Sequence, residues 1–336
     1  MDHLRFGVIG LGVGERLAHA VAASPGCSVA VLCDFDPDKL ASVSAKIPGA
    51  RTTASAEDVL ADKSIDVAVV ASWDNFHFAQ TKAALLAGKH VFVEKPFVVA
   101  QSEAQEIRAL LAERPTQRLS SNLVLRATPR FVDLRRRIVA GELGRLYHLE
   151  GDYEYGRLWK ITEGWRGKLP FFSAVHSGGV HVADLLMWLA GDRVESVSAF
   201  GNTIASSEAG ASFRNFDMVV AALRFQSGAV GKLGVNFGCV RPHYHRLAVY
   251  GTKATFENRP GMAEMYSSRE QGDIPAPIDT EYPGSQRAEL IKGFIGELHG
   301  RAPGVVGIED VFASMSVCFA IEKSAHAGVP VRVAYL

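Results

Sequence analysis

The stretch FGVIGLGVGE, residues 6–15, decides the fold of the first third of the chain. Residues 6–9 have the character of a buried strand, and the glycine-rich turn that follows opens a helix. A strand, a G-x-G turn and a helix in this order form the context of a dinucleotide-binding fingerprint. Gly10 permits the tight turn, and Gly12 lets the backbone approach a pyrophosphate at the helix N-terminus. The cofactor contacts predicted in the turn are Gly10, Leu11, Gly12, Val13 and Gly14.

Two further positions bear on this fingerprint. Its third glycine is due at position 15, where the chain has Glu15, and Gly14 stands one place early. We therefore expect the turn or the helix packing to differ slightly, and a plain structural turn is the alternative. Asp34 ends the next strand-like run about 20 residues after Gly12, where a carboxylate hydrogen-bonds an adenosine ribose 2′-hydroxyl. The same carboxylate would repel a 2′-phosphate, so NAD is favoured over NADP; the alternative for Asp34 is a helix cap.

Strand-like and helix-like segments alternate up to about residue 93. The strand-like runs are 6–9, 28–33, 67–71 and 90–93, and the helical ones are 16–23, 38–46, 56–61 and 78–87. This alternation with short turns predicts a parallel sheet with helices on both faces. Near-continuous apolar strands fit a sheet that is buried on both sides. The sequence therefore predicts an α/β fold that begins with a doubly wound parallel sheet of the Rossmann type.

Composition restricts the class of protein. The 336 residues are 48% hydrophobic and 21% charged, and 36 Lys and Arg balance 36 Asp and Glu. A net charge of zero argues against nucleic acid or an anionic membrane as the main partner. No apolar run approaches the roughly 18 residues of a membrane span, and the N-terminus lacks a signal-peptide layout, so we expect a cytoplasmic protein. The four cysteines form no C-x-x-C pair and no His/Cys cluster has zinc spacing, so no metal site is predicted.

Three further stretches complete a family pattern. They are Ala71-Ser72-Trp73-Asp74-Asn75-Phe76-His77, Glu94-Lys95-Pro96, and Gly178-Gly179-Val180-His181-Val182-Ala183-Asp184. With the glycine turn, they resemble the glucose–fructose oxidoreductase and inositol dehydrogenase (Gfo/Idh/MocA) family of NAD(P)-dependent sugar oxidoreductases. The resemblance implies an NAD-binding Rossmann domain over residues 1–121. Over residues 122–336 it implies an α/β domain with a large, mostly antiparallel sheet for substrate binding and oligomerisation.

The sequence after residue 122 supports this second domain independently. Strand-like runs recur with few helices between them, which predicts antiparallel pairing. The runs are 146–155, 193–204, 217–225, 229–237, 246–250 and 254–258, with helical patterns at 131–140, 179–189, 286–299 and 308–327 and a surface loop at 267–284. The strands at 217–225 and 229–237 carry more apolar surface than one layer of helices can cover. A homodimer or homotetramer is therefore expected.

The resemblance suggests the chemistry of Lys95. In similar enzymes the lysine of Glu-Lys-Pro reaches the substrate hydroxyl beside the nicotinamide, and loss of hydride from a carbinol carbon requires an acceptor for the hydroxyl proton. Lys95 follows a parallel strand at its carboxyl end, where doubly wound sheets bind their ligands. Glu94 is expected to orient Lys95 or to contact the nicotinamide ribose. Ser72, Asn75, His77 and Lys95 itself are further predicted cofactor contacts; the alternative for Lys95 is an ordinary surface lysine.

His181 is the second predicted catalytic residue. In similar enzymes a histidine here contacts the reacting hydroxyl, and an aspartate four residues earlier completes a Lys–Asp–His set. This chain has Ser177 at that position, which carries no charge at neutral pH and cannot relay protons as a carboxylate does. His176 is a candidate to compensate, and Asp184, one helical turn after His181, is placed to fix its tautomer. The alternatives are a core histidine for His181 and an ordinary loop residue for His176.

Aromatic and cationic residues precede His181 in the sequence. They are Tyr153, Tyr155, Trp159, Trp165, Arg166 and Lys168. Aromatic faces with charged hydrogen-bonding groups suit a sugar ring, and Arg166 and Lys168 also suit a carboxylate or a phosphate. The predicted substrate contacts are Tyr155, Trp165, Arg166, His176, Ser177 and His181. His243 and His245 alternate like metal ligands, but the sequence shows no third ligand beside them, so a metal is not predicted there.

These observations predict an NAD(H)-dependent dehydrogenase or reductase that acts on a sugar, a sugar derivative or a cyclic polyol. Lys95 is the predicted acid/base, and His181 positions the substrate hydroxyl. The alternative is a non-catalytic protein of the same fold that senses NAD or a sugar. Ser177 and Glu15 favour that alternative, whereas Lys95, His181 and Asp34 favour the enzyme.

Overall fold

The computed structural model describes residues 3–211, 213–283 and 288–336. The chain divides into two compact units. The first comprises Met1–Ala127, Gln286–Phe312 and Leu336, and the second comprises Thr128–Ser285 and Ala313–Tyr335. A segment from near the C-terminus is thus part of the first unit.

The first unit is built on a six-stranded parallel sheet. Its strands are β1 (Leu4–Ile9), β2 (Cys27–Cys33), β3 (Arg51–Thr53), β4 (Val67–Val70), β5 (His90–Val93) and β6 (Leu119–Ser121). They lie in the order β3-β2-β1-β4-β5-β6 and every pair is parallel, which confirms the predicted doubly wound sheet. Every residue of β4 and β5 is buried, as expected for strands covered on both faces.

The second unit is built on a nine-stranded sheet. Its strands are β7 (Leu146–Glu154), β8 (Val194–Asn202), β9 (Met218–Phe225), β10 (Val230–Asn236), β11 (Tyr244–Gly251), β12 (Thr255–Asn258), β13 (Ala263–Tyr266), β14 (Ala276–Ile278) and β15 (Val331–Arg332). The order is β14-β13-β12-β11-β7-β10-β9-β8-β15, and β7 and β10 form its parallel pair while the others are antiparallel. The predicted mostly antiparallel sheet is confirmed. The predicted loop at 267–284 was wrong in part, because β14 lies in it; residue 284 is outside the described residues.

Eleven α-helices lie within the described residues. They are α1 (Gly14–Ala22), α2 (Pro37–Ser44), α3 (Ala56–Leu60), α4 (His77–Leu86), α5 (Gln101–Ala112), α6 (Pro129–Val139), α7 (Trp159–Thr162), α8 (Val180–Ala190), α9 (Ile204–Glu208), α10 (Glu289–Leu298) and α11 (Ile308–Ala327). The helix predicted at 286–299 corresponds to α10; residues 286 and 287 are outside the described residues. Within the described ranges, no helix combines the length and the apolar character needed to cross a bilayer.

One face of the nine-stranded sheet lies against helices. A Cβ on Gly151 of β7 would lie 2.5 Å from a methyl group of Val182 in α8, so the helix packs closely on this strand. On β8, the backbone N–H of Ala199 donates to Ser324 Oγ of α11 at 3.0 Å. The strand registers place Ala199 on the same face as Gly151, so the next residues, Asp152 and Phe200, point away from the face that carries α8.

Candidate functional site

The turn after β1 has the geometry that the fingerprint requires. Gly10 has a φ of +86°, in the left-handed region, and a Cβ there would lie 2.4 Å from the carbonyl oxygen of Ala71. A Cβ added at Gly12 would have no atom of the described residues within 4 Å, so the backbone here faces open space. No described side chain caps α1, whose first N–H groups therefore remain available to an anion. A pyrophosphate fits this turn.

Gly14 and Glu15 show how the altered fingerprint packs. A Cβ on Gly14 would lie 3.1 Å from Val8 Cγ1, so this glycine allows the close approach of helix to strand that the third glycine usually provides. The Glu15 carboxylate binds Lys39 Nζ at 2.6 Å and Lys46 Nζ at 3.0 Å. Hydrogen bonds from these two ammonium groups lower the pKa of Glu15 to about 2. The charge at position 15 therefore ties the start of α1 to α2 and its C-terminal flank.

Asp34 is held at the glycine turn. Its Oδ2 accepts a hydrogen bond from the backbone N–H of Leu11 at 2.6 Å, and its Oδ1 accepts one from Asp36 N at 3.0 Å. The carboxylate predicted to bind a ribose thus lies at the turn predicted to bind the pyrophosphate. The cap of α2 is Asp36, which accepts from the N–H groups of Asp38 and Lys39. The capping role weighed for Asp34 belongs to Asp36.

Lys95 lies at the carboxyl edge of the parallel sheet, two residues after β5, and is half-buried. Its neighbour Glu94 is buried, and Asn122, directly after β6, donates a hydrogen bond from Nδ2 to Glu94 Oε1 at 2.5 Å. The peptide bond from Lys95 to Pro96 is cis. Asn122, at the end of the neighbouring strand β6, therefore holds the Glu94 side chain, which immediately precedes Lys95.

His77 connects the segment after β4 to the segment after β5. Its Nδ1 lies 2.7 Å from the carbonyl oxygen of Pro96, and its Nε2 lies 3.0 Å from that of Ser72. The ring is 1% exposed, so these contacts suit a residue that positions the Lys95–Pro96 segment. Ser72 Oγ donates to Gln80 Oε1 at 2.7 Å, whereas Asn75 is exposed.

Sequence reasoning did not single out an aromatic pair at the same sheet edge. Phe35 follows Asp34 at the end of β2, and Trp73 lies in the segment after β4. Their rings meet edge to face with centroids 5.8 Å apart, and the side chains are 74% and 37% exposed. Large apolar side chains exposed together at a ligand-binding edge indicate a contact surface for a planar group. The sequence signal that could have indicated this pair is position: Phe35 directly follows Asp34, and Trp73 lies just after β4.

In the second unit, His181 lies in the first turn of α8, which follows one turn of π-helix, Val175–Gly179. Such turns frequently mark functional sites. Gly178 is required here, because a Cβ would lie 2.5 Å from the ring of Tyr153. The His181 ring lies nearly parallel to the Tyr153 ring, with centroids 6.1 Å apart. The glycine therefore lets Tyr153 pack against the helix that carries His181.

Tyr153 is the centre of a cluster of rings. Its centroid lies 5.3 Å from Tyr155, 4.9 Å from His243 and 5.4 Å from His245. His245 Nδ1 lies 2.9 Å from the Tyr282 hydroxyl, and burial lowers the pKa of His245 to about 3. The sequence showed His243 and His245 only as alternating histidines, and the structure brings them to the neighbourhood of His181. No group of metal-binding side chains occurs among the described residues.

The other predicted substrate contacts follow Tyr155 along the chain. Trp165 is half-buried, and the Arg166 guanidinium lies over its ring at 4.4 Å and over the Phe172 ring at 5.9 Å. Phe172 lies 6.0 Å from Phe237, which lies 4.9 Å from Tyr155. Trp165 and Arg166 are thus connected to the ring cluster through Phe172 and Phe237.

His176 and Ser177 are both buried in the π-helical turn. The His176 ring packs edge to face against Phe171 and Phe319, and neither ring nitrogen has a hydrogen-bond partner among the described residues. Burial lowers the pKa of His176 to about 3, so the ring is neutral near pH 7. The surroundings of His176 are therefore those of a packed core side chain. Asp184, one turn after His181, accepts a hydrogen bond from Ser314 Oγ at 3.1 Å.

Two family models match this chain. The one described as "Oxidoreductase family, NAD-binding Rossmann fold" matches residues 4–122, and the GFO/IDH/MocA C-terminal domain matches residues 131–257. The chain belongs to the Gfo/Idh/MocA family. It is therefore an NAD-binding oxidoreductase, and the family predicted from the glycine turn and the Glu-Lys-Pro triplet is confirmed.

Individual relatives agree with this assignment. An uncharacterised oxidoreductase of Escherichia coli is 34% identical over 167 residues, which are 49% of this chain and 47% of that protein. Myo-inositol 2-dehydrogenase of Thermotoga maritima is 25% identical, and the match covers 96% of each chain. The structure of levoglucosan dehydrogenase in complex with NADH superposes with a TM-score of 0.87 at 19% identity, over 99% of this chain and 100% of that one. At that identity, the superposition establishes the shared fold.

Proposed function

We propose that this member of the Gfo/Idh/MocA family transfers a hydride between NAD(H) and a carbinol carbon of a sugar, a sugar derivative or a cyclic polyol. When bound, NAD supplies the hydride acceptor. The observation that carries the proposal is the placement of Lys95 at the carboxyl edge of the sheet that also bears the glycine turn and Asp34. The Thermotoga maritima relative named myo-inositol 2-dehydrogenase supports the substrate class.

Lys95 is the proposed acid/base. Its amine takes the hydroxyl proton as hydride leaves the carbinol carbon and returns a proton in the reverse direction. The Asn122–Glu94 hydrogen bond and the contact between His77 and the Pro96 carbonyl hold the segment that bears Lys95. A side chain held in place aligns its proton acceptor before the reaction, and alignment lowers the barrier.

His181 is the proposed positioning residue for the substrate hydroxyl. Its ring is buried and stacks on Tyr153, so its orientation is restricted. Tyr155, Trp165 and Arg166 are the proposed contacts for the rest of the substrate, because aromatic faces and charged hydrogen-bond donors match the C–H faces and the oxygen rim of a sugar.

NAD is the proposed cofactor in preference to NADP. The Asp34 carboxylate at the glycine turn is placed to accept a hydrogen bond from a ribose hydroxyl and repels a 2′-phosphate. Lys39, five residues after Asp34, is a cation that could bind a 2′-phosphate. Its ammonium group instead forms an ion pair with Glu15 at 2.6 Å. The exposed rings of Phe35 and Trp73 offer a surface for the adenine base.

A homodimer or a homotetramer is the proposed assembly. The sheet face that points away from α8 and α11 carries ion pairs near its centre, with Lys232 Nζ 2.6 Å from Asp152. It also exposes Phe200 and Val230, which are 67% and 49% exposed. This face is more polar than the sequence suggested, and it combines apolar and charged groups as protein interfaces do.

Mixing the protein with NAD and a panel of sugars and inositols, and following NADH absorbance, tests the proposal. Stereospecific NADH formation with at least one of them is the expected result. Ser177, in place of a carboxylate, favours the alternative of a non-catalytic sensor. Binding of NAD and of a sugar, with neither NADH formation from the sugar nor NADH consumption with the corresponding keto compound, would support the sensor.

A further inference from the structure

The segment that connects β7 to the π-helical turn is unusually cationic. Between residues 155 and 168 it carries one carboxylate, Glu163, and four cations. The cations are Arg157, Lys160, Arg166 and Lys168. The segment contains α7, which carries Lys160, and a single 3-10 turn, Trp165–Lys168, which carries Arg166 and Lys168, so these three cations lie on regular backbone.

Three of these cations, Arg157, Lys160 and Arg166, lie against aromatic rings. Arg157 lies 5.1 Å and Lys160 lies 5.7 Å from the centre of the Tyr155 ring, and Arg166 lies 4.4 Å from that of Trp165. Within residues 3–211, 213–283 and 288–336, none of the four has a carboxylate partner. The nearby Arg241, in contrast, binds Glu154 at 2.6 Å. The positive charge of the segment is therefore not neutralised by the chain itself.

The cations border the ring cluster around His181. Tyr155, which carries Arg157 and Lys160 over its ring, stacks on Tyr153, and Tyr153 stacks on His181. Only two ring-to-ring steps thus separate these cations from the histidine proposed to position the hydroxyl. The side of the ring cluster formed by Tyr155 is therefore positively charged.

The electrostatics of Tyr155 agree with an excess of positive charge. Burial alone would raise the pKa of Tyr155, but hydrogen bonding and charge from Lys160 and Arg157 outweigh burial and lower it. Ser177, in the π-helical turn before His181, adds no negative charge at neutral pH. An anion is favoured in such surroundings, because a guanidinium and an ammonium give the stronger, charge-assisted hydrogen bonds to carboxylate and phosphate oxygens.

We propose that the substrate is a sugar or polyol that carries an anionic group, a carboxylate or a phosphate, which Arg157, Lys160 and Arg166 bind. This inference rests on the proposed function and names its substrate class. The cations orient the substrate through its anionic end.

Binding of matched sugars to the protein saturated with NADH tests this inference. Titration calorimetry compares D-glucuronate with D-glucose, D-galacturonate with D-galactose, and glucose 6-phosphate with D-glucose. At least one anionic sugar should bind 10-fold or more tightly than its neutral partner, and the carboxylate and phosphate arms distinguish the two anions. The advantage should shrink as salt rises from 0.05 to 0.5 M, because screening weakens exposed charge interactions.

Substitutions assign the effect to these side chains. Lys160→Gln and Arg166→Gln, singly and together, should remove most of the advantage of the anionic sugar. We expect its affinity to fall about 10- to 100-fold, because hydrogen bonds to a charged group are lost. Arg332→Gln, at an exposed arginine that binds Glu195, is the matched control and should keep it.

Equal binding of anionic and neutral sugars, or an advantage that persists in the double variant, would overturn this inference. NADH formation with neutral sugars alone would then leave the proposed function standing. Conversely, selective binding of anionic sugars without NADH formation from any of them would overturn the proposed reaction and keep the anion site.

Discussion

The backbone N–H of Leu11 donates to the Asp34 carboxylate at 2.6 Å, which joins the two parts of the fingerprint that lie farthest apart in sequence. The glycine turn and the acidic end of β2 are thus fixed relative to each other before any ligand binds. Because the site is preorganised, binding does not lose the conformational entropy of ordering these groups, and this favours affinity. The relationship makes Asp34 the residue to test first.

Asp34→Asn should reduce the preference for NADH over NADPH. The amide oxygen can still accept from Leu11, but the negative charge that repels a 2′-phosphate is gone. We expect the ratio of the two dissociation constants, measured by NADH and NADPH fluorescence, to fall about 10-fold or more, or about 1.4 kcal/mol. Asp36→Asn removes the same charge two residues away and keeps a capping side chain, so it should preserve the ratio. Equal binding of both cofactors by the wild type would refute the assignment.

Lys95→Met should abolish most turnover and leave NADH binding within a few-fold. The variant keeps most of the length of the side chain but has no amine to accept the hydroxyl proton, and loss of a positioned acid/base costs roughly 10²- to 10⁴-fold in rate. Stopped-flow absorbance on the substrate found in the panel gives the rate, and fluorescence titration gives cofactor affinity. Lys82→Met, on the surface of α4, is the control. Full turnover by Lys95→Met would place the reaction centre elsewhere.

His181→Ala should raise KM for the substrate more than it lowers kcat, because a positioning residue acts largely through binding and alignment. Ser177→Ala should change either constant by less than a few-fold, since no carboxylate is lost. Steady-state kinetics over a range of substrate concentrations separates the two constants. A loss confined to kcat in His181→Ala would instead assign proton transfer to this histidine.

Local sequence patterns predicted much of the parallel sheet. Buried parallel strands are near-continuous apolar runs, and 90–93 coincides with β5. The three-residue strands β3 and β6 were not predicted, because so short a segment has no periodicity and is held by its neighbour in the sheet. β14 was missed for the same reason, within a stretch whose prolines and glycines indicated a loop.

The candidate site could be predicted only where it is local in sequence. Asp34 and Lys95 follow strands directly, so position along the chain was enough to propose them. The proximity of His243 and His245 to Tyr153 depends on the pairing of β7 with β11, which joins residues about 90 positions apart. His176 looked like a candidate proton relay because of its place beside Ser177, but its burial between Phe171 and Phe319 depends on tertiary packing.

Phe200→Asp should weaken self-association. Phe200 is 67% exposed on the face of the nine-stranded sheet that points away from the helices, and a charge there must lose water in any interface. We expect light scattering at micromolar concentration to give a dimer or a tetramer for the wild type and a smaller species for the variant. Val240→Asp, at a fully exposed apolar residue between β10 and β11, is the control. A monomeric wild type would contradict the proposed assembly.

His176→Leu should make the fold less sensitive to acid. The pKa of His176 is about 3 in the folded chain, well below the ordinary histidine value near 6.5 that applies when the chain unfolds. Between these two values only the unfolded chain binds the proton, so stability is complete above about pH 6.5 and falls as the pH drops, by up to about 1.4 kcal/mol per unit. Leucine removes this titration and suits the contacts with Phe171 and Phe319. The free energy of unfolding should therefore fall about 2 kcal/mol less in the variant than in the wild type between pH 6.5 and pH 4.5.

Urea denaturation at a series of pH values measures this difference. Phe171→Leu alters the packing beside His176 without removing a titrating group, so it should shift the stability curve and keep its slope. Parallel curves for His176→Leu and the wild type would show that the buried ring does not carry the pH dependence. The same variant tests the relay, because a ring that stays neutral near pH 7 and packs as a core side chain should be replaceable with a change in kcat of less than a few-fold. A loss approaching that of Lys95→Met would mean that His176 has taken over the role of the missing carboxylate.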